Sequence, residues 1–208
     1  LATDNGKLIE HITTDNIQED VAFNINKDIT ELEINAFLDN ITNQDSNTNY
    51  PFSTKQYRNE LRHTLWLLPG VKEANAFEKL LNEHRIFGKE YKIVNVVKDD
   101  KSDSNEVATN GDLDKVRQAI GNPSQSKTIT LTVRKLTTGV NIPEWTAVLF
   151  LSNTNSAMNY LQAAFRAQTP FSHEKLGMKK NCYIFDFAPD RALTVKAESA
   201  QINSGVGK

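Results

Sequence analysis

Hydrophobic and polar positions fall into two textures along this chain. Up to residue 60 they read as separate helices. Thr30-Glu31-Leu32-Glu33 has the form of a capping box, and Ile34, Phe37, Leu38 and Ile41 follow at spacings of three and four. That pattern predicts a helix with one apolar face, ending in the polar loop Asn40–Tyr50. A second short helix is predicted over residues 54–62, capped by Ser53 or Thr54. Residues 1–60 are expected to form a helical extension or linker layer ahead of a larger unit, residues 61–208.

From Leu61 onward, short apolar runs alternate with helical patterns. His63–Leu68, Lys92–Val97, Thr128–Val133, Ala147–Leu151 and Cys182–Phe187 are strand candidates. After Pro69-Gly70, the residues Ala74, Phe77, Leu80, Leu81 and His84 mark one face of a helix. Leu113, Val116 and Ile120 mark another, with Asp112 as its cap and Gly121 as its stop. Ala157, Tyr160, Leu161, Ala164 and Phe165 form the apolar stripe of a third, and Asn159, Gln162 and Arg166 its polar stripe. The tract Lys98–Gly111 reads as a mobile loop. Strands separated by helices predict an α/β fold with a mainly parallel, doubly wound sheet.

In such a sheet, ligands bind at the carboxyl ends of the strands. Three features fall there. Leu68–Ala74 takes a strand end into a helix N-terminus, where backbone N–H groups and the helix dipole favour a phosphate; every βα unit has such a turn. Leu136–Pro143 carries two hydroxyls, Thr137 and Thr138, then Gly139, which lets a polymer backbone or ribose approach closely, and Asn141, both donor and acceptor. Its plain alternative is a β-turn between two strands. The third feature is the polar stripe, where Arg166 follows Gln162 by one helical turn and suits a nucleotide γ-phosphate across a cleft. A solvated helix face would look the same.

Composition narrows the class. With 208 residues, 38% hydrophobic and 24% charged, the chain is long enough for one substantial core. No apolar run approaches the roughly 20 residues of a membrane span, and the start Leu1–His11 has no leader pattern. The lack of an initiator Met suggests a piece of a larger polypeptide. A lone cysteine, Cys182, excludes an internal disulfide and fits a reducing cytoplasm as a buried, inert thiol. The four histidines show no metal-ligand spacing. Charge is uneven: residues 1–112 hold 12 Lys/Arg against 20 Asp/Glu, net −8, and residues 113–208 hold 12 against 6, net +6. The positive half contains two of the three features, as a phosphate-binding surface requires.

Together and in this order, the features resemble the second RecA-like domain of superfamily-two helicases and translocases. The resemblance covers about residues 61–190. It implies that Pro69, Gly70 and Lys72 lie in motif IV and hold a nucleic-acid phosphate. Leu136–Pro143 is similar to motif V, in which Thr137 and Thr138 touch the nucleic-acid backbone while Gly139 and Asn141 meet the nucleotide sugar. Gln162–Pro170 is similar to motif VI, in which Gln162 and Arg166 sense ATP. The wording of Asn49–Ser53, Leu61–Val71, Leu136–Trp145, Tyr160–Pro170 and Cys182–Leu193 looks more narrowly like the motors of bacterial restriction-modification enzymes. The partners implied are DNA, a first RecA-like domain, and nuclease, methyltransferase or specificity parts of a parent protein, with no membrane.

Two positions depart from the family pattern. Thr169 stands where motif VI usually has a second arginine, leaving Arg166 with only Arg134 or Arg191 as substitutes. Asn141 stands where motif V often has an aspartate. The chain also lacks a Gly-x-x-x-x-Gly-Lys-Ser/Thr phosphate loop and the acidic pair that holds Mg²⁺, so ATP hydrolysis is expected only with the first domain. Two other readings are a RecA-like scaffold without a motor role and a metal-dependent nuclease. The nuclease would rest on Asp186 and Asp190 with Lys179 or Lys180.

Overall fold

The computed structural model describes residues 30–44, 50–97, 108–133, 136, 140–152 and 157–187. Five strands, β1 (His63–Leu67), β2 (Lys92–Asn95), β3 (Thr128–Thr132), β4 (Ala147–Phe150) and β7 (Tyr183–Asp186), form one sheet in the order β2-β3-β1-β4-β7. Every pairing in it is parallel. The α/β class with a mainly parallel sheet expected from the sequence is the one observed. Between β4 and β7, a small antiparallel hairpin joins β5 (Ser172–His173) to β6 (Gly177–Met178); the sequence pattern did not show it.

The strands form where the chain offers unbroken runs buried on both faces, as a covered parallel sheet requires. All five residues of β1 and all five of β3 are buried. Side chains alternate along β1. Trp66 points to the face covered by α1 (Glu31–Ile41), α3 (Val71–Glu83) and α4 (Phe87–Glu90), where it meets Phe37, Phe77 and Phe87 edge-on. Leu67, one residue on, points the other way with its register partner Phe150, which stacks on Tyr160 of α6 (Ala157–Ala164) at 4.3 Å. Helices therefore flank both faces.

Local chemistry sets where the helices start. Thr30 caps α1 in a reciprocal box with Glu33, as its spacing predicted, and Ile34, Phe37, Leu38 and Ile41 are buried. Thr54, the second of the two residues proposed, caps the short α2 (Lys55–Glu60). Three expectations are corrected. Asp112 does not cap α5 (Asn110–Ile120); Thr109 does, and Asp112 returns the bond from the third helical position. Phe165 is not on a buried stripe: α6 ends at Ala164 and tightens into a 3-10 turn, Phe165–Gln168, which rotates Phe165 out to 46% exposure. His84, assigned to the apolar face of α3, instead ends that helix, and its Nδ1 accepts from the amides of Ile86 and Phe87.

A partly buried ionic cluster ties the first helices to the sheet. Arg58 donates through Nε to Glu90 at 3.1 Å and through a terminal nitrogen to the Phe52 carbonyl at 2.8 Å, while Lys127 reaches Glu90 at 3.0 Å. Burial opposes ionisation of Glu90, but the bonds from Arg58 and Lys127 outweigh it and hold the carboxyl below its usual range. Among the described residues no helix is long and apolar enough to cross a membrane.

Candidate nucleotide and nucleic-acid site

Because the five strands are parallel, their carboxyl ends lie along one edge of the sheet. β1 sits between β3 and β4, so the turn after β1 emerges beside the segments that follow both neighbours. The register continues past the strand ends: Leu68 donates to the Thr132 carbonyl at 2.8 Å and Leu151 to the Leu67 carbonyl at 2.9 Å. Pro69 is half-buried, Gly70 is buried and caps α3 without a side-chain bond, and Lys72 is exposed in the first turn. Gly70 has an extended backbone, φ −158° and ψ 172°, which any residue adopts. The helix that follows has 13 residues, and its positive N-terminus faces this edge.

The turn after β3 is entered through Leu136. This residue has φ 65° in the left-handed region, where a bulky side chain is unusual, and it is fully buried. Backbone strain of that kind costs about 1–3 kcal/mol. Burying a leucine side chain contributes about 1.5–3 kcal/mol, enough to offset it. Leu136 thus anchors the start of the turn, a role the sequence reading gave to no residue. Thr137, Thr138 and Gly139 lie outside the described residues, as do Arg134, Asp190 and Arg191. The loop expected over Lys98–Gly111 also lies outside them up to residue 107. On the far side of the turn, Val140 and Ile142 are buried and Asn141 between them is exposed.

The exit of that turn and the end of α6 are joined directly. Arg166, half-buried in the 3-10 turn, donates through Nε to the Gln162 carbonyl at 3.2 Å and through a terminal nitrogen to the Val140 carbonyl at 2.6 Å. The structure therefore brings Arg166 against both Gln162 and the residue that precedes Asn141. Gln162 is half-buried, and it is its backbone oxygen that meets Arg166. These two bonds engage two of the five N–H donors of the guanidinium. Pro69, Gly70 and Lys72 share the sheet edge through topology.

A second cation crosses the same gap. Lys179, just after the hairpin, donates to the carbonyls of Pro143 at 2.8 Å, Ala167 at 2.9 Å and Trp145 at 3.0 Å. Burial pulls its pKa down to about 8, against the opposing pull of Cys182 and Glu144. The Cys182 thiol is half-buried rather than buried as expected, and burial pushes its pKa up. With its ammonium held by three carbonyls, Lys179 does not serve the nuclease reading. Asp186 is buried at the end of β7, Asp190 is outside the described residues, and among the described residues no cluster of His, Cys, Asp or Glu that could hold a metal supports that reading.

Histidine chemistry is structural where it is buried. His63 lies between Thr128 Oγ1 at 2.9 Å and the Pro123 carbonyl at 3.2 Å, and burial lowers its pKa to about 4. It stays neutral, donating from Nε2 to the carbonyl and accepting at Nδ1.

No protein-family model matches the chain. In sequence it is 26% identical over 188 residues to a protein of Mycoplasma pneumoniae named as the C-terminal part of the type II restriction enzyme and methyltransferase RM.MpnORF110P. That alignment covers 89% of this chain and 26% of the relative, so the chain spans about a quarter of the relative's length. Among solved structures, the ATP-dependent Type ISP restriction-modification enzyme LlaBIII bound to DNA is similar over 74% of this chain and 9% of its own, at 16% identity and a TM-score of 0.45. The C-terminal part of the Fun30 ATPase domain is similar over 76% of this chain and 50% of its own, at 12% identity and a TM-score of 0.41. At TM-scores under 0.5, neither likeness bears on what this chain does. The chain is an α/β domain built on a five-stranded parallel sheet, similar in sequence along most of its length to part of a protein named as a restriction enzyme and methyltransferase.

Proposed function

We propose that this chain is the second motor domain of an ATP-dependent DNA helicase or translocase within a cytoplasmic restriction-modification enzyme. The observation that carries the reading is the bond from Arg166 to the Val140 carbonyl, which couples the helix of motif VI to the exit of motif V. Two motifs assigned from sequence to one nucleotide are in direct contact in the fold. The sequence similarity to a restriction enzyme and methyltransferase supports the parent protein's class.

In this reading Arg166 and Gln162 form the ATP-sensing half-site. The half-buried guanidinium is held on two carbonyls, and a guanidinium is a donor set suited to a phosphate. Asn141, exposed beside it, and Gly139 meet the nucleotide sugar. Pro69, Gly70 and Lys72 at the start of α3, with Thr137 and Thr138, hold a strand of DNA by its phosphates. The phosphate loop and the Mg²⁺ ligands belong to a first RecA-like domain, because the sequence here contains neither. ATP, when bound between the domains, supplies the phosphoryl transfer. This chain contributes orientation, charge and closure. Met158 at 64% and Phe165 at 46% exposure flank the same helix, offering apolar surface for the first domain to cover. Alternate grip and release at the Thr-Thr-Gly turn, driven by closure, would step the enzyme along DNA.

The test is the DNA-stimulated ATPase of the full-length protein that carries this chain, wild type beside Arg166→Ala. Loss of a transition-state donor is expected to lower turnover by about 10²–10³-fold with DNA binding retained. Unchanged turnover would favour the scaffold reading.

A further inference from the structure

Beyond the arginine itself, the fold supplies a device that sets where the arginine stands. The 3-10 turn carrying Arg166 ends a helix, and a helix end leaves carbonyls without intrahelical partners and a negative dipole. One of those carbonyls, Ala167 O, lies one residue after Arg166 and accepts from Lys179 Nζ at 2.9 Å. The same ammonium donates to Pro143 O at 2.8 Å and Trp145 O at 3.0 Å, on the segment leading from Asn141 into β4. An ammonium has three donors and no acceptor, so this geometry satisfies it completely. Lys179 is itself fixed, because its amide donates to the Phe171 carbonyl at 2.8 Å and continues the hairpin pairing.

Two cations therefore link the same two segments, Arg166 to Val140 and Lys179 from Ala167 to Pro143 and Trp145. A single bond leaves a turn free to pivot; two attachments on either side of Asn141 remove that freedom. Charge-assisted bonds to carbonyls are about twice as strong as neutral ones, and here they are partly shielded from water. Trp145, fully buried, keeps the receiving segment rigid.

We propose that Lys179 is a positioning residue: its ammonium straps the arginine-bearing turn to the exit of the Thr-Thr-Gly turn and fixes where Arg166 meets a phosphate. The proposal rests on the ATP-sensing reading of Arg166. Without the strap, Ala167 O and the turn relax together, and the guanidinium moves while the sheet stays intact. A displacement near 1 Å in a positioning group costs about 10²-fold in the extreme, so a partial loss near tenfold is expected.

A double-mutant cycle in the full-length protein tests this, with DNA-stimulated ATPase measured for wild type, Lys179→Met, Arg166→Ala and the double variant. Lys179→Met is expected to lower kcat about tenfold, with the KM for ATP little changed, because the lost geometry matters in the transition state. On the Arg166→Ala background the same substitution is expected to lower kcat by less than about twofold, because its effect runs through the arginine. The same fold-loss in both backgrounds would overturn the proposal and make Lys179 a general support of the fold. No loss in either would overturn it equally. If Arg166→Ala alone leaves kcat unchanged, the sensor reading fails and Lys179 has nothing to position. Should Lys179→Met not fold, Lys179→Gln, which keeps an amide donor for the carbonyls, goes through the same cycle against the same criteria.

Discussion

Removing the Phe37 ring is the sharpest test of how the fold is held. Phe37 projects from α1 and is 2% exposed. Its ring meets Phe187 at 5.0 Å, Phe77 at 6.3 Å and Trp66 at 6.5 Å, all edge-on, so one side chain joins α1, α3, β1 and the end of β7. Phe37→Ala removes the transfer energy of a buried ring and leaves a cavity between rigid aromatic neighbours that cannot collapse fully. The expected loss is about 3–5 kcal/mol, a large part of the roughly 5–15 kcal/mol that holds a domain together. The control is Leu32→Ala on the same helix, 79% exposed, expected within about 0.5 kcal/mol of wild type. Urea unfolding of the 208-residue chain, followed by far-ultraviolet circular dichroism, reads both. With a slope of about 2 kcal/mol per molar, Phe37→Ala moves the midpoint down by about 2 M. A loss under about 1 kcal/mol, or equal losses at Phe37 and Leu32, would refute the docking of α1 on this core.

Gly88 sits in α4 where an added Cβ would lie 2.1 Å from the Asn82 carbonyl oxygen, a backbone atom that cannot step aside. Gly88→Ala should therefore destabilise by about 1–3 kcal/mol in the same urea assay, although alanine is the better helix former by about 1 kcal/mol. Glu90, held below its usual pKa chiefly by Arg58 and Lys127 against the opposing effect of burial, stabilises the fold fully above its unfolded value of 4.5. That stability falls away as pH drops through the lower folded value, so Glu90→Gln should flatten the acid limb of stability below pH 4.5 and lower stability at pH 7. A steep acid limb retained in Glu90→Gln would assign it to another carboxylate.

The sheet was legible because parallel strands buried on both faces must read as unbroken runs, and Thr128–Thr132 or Ala147–Phe150 can hardly be anything else. What escaped the sequence has physical causes. The hairpin has two-residue strands inside a polar tract, too short for any period to register. Asp112 looked like a cap because Thr109, the true one, stands at the end of a long polar stretch. Phe165 fitted a 3.6-residue stripe that the chain abandons one residue earlier, at Ala164. At the candidate site, Gln162 and Arg166 were visible as a pair, but the attachment of Arg166 to Val140 was not, because the partner is a carbonyl that every residue has. Lys179 was hidden for the same reason, and Leu136 because nothing in a leucine announces a left-handed backbone.

Motion along DNA is the central claim, and ATP-driven displacement of a third strand from a duplex measures it most directly. Full-length wild-type protein is expected to release the third strand with ATP and not without it. Arg166→Ala should bind the same duplex and leave the third strand in place. Release by Arg166→Ala at the wild-type rate would contradict the assignment of this domain as the sensing half of a motor.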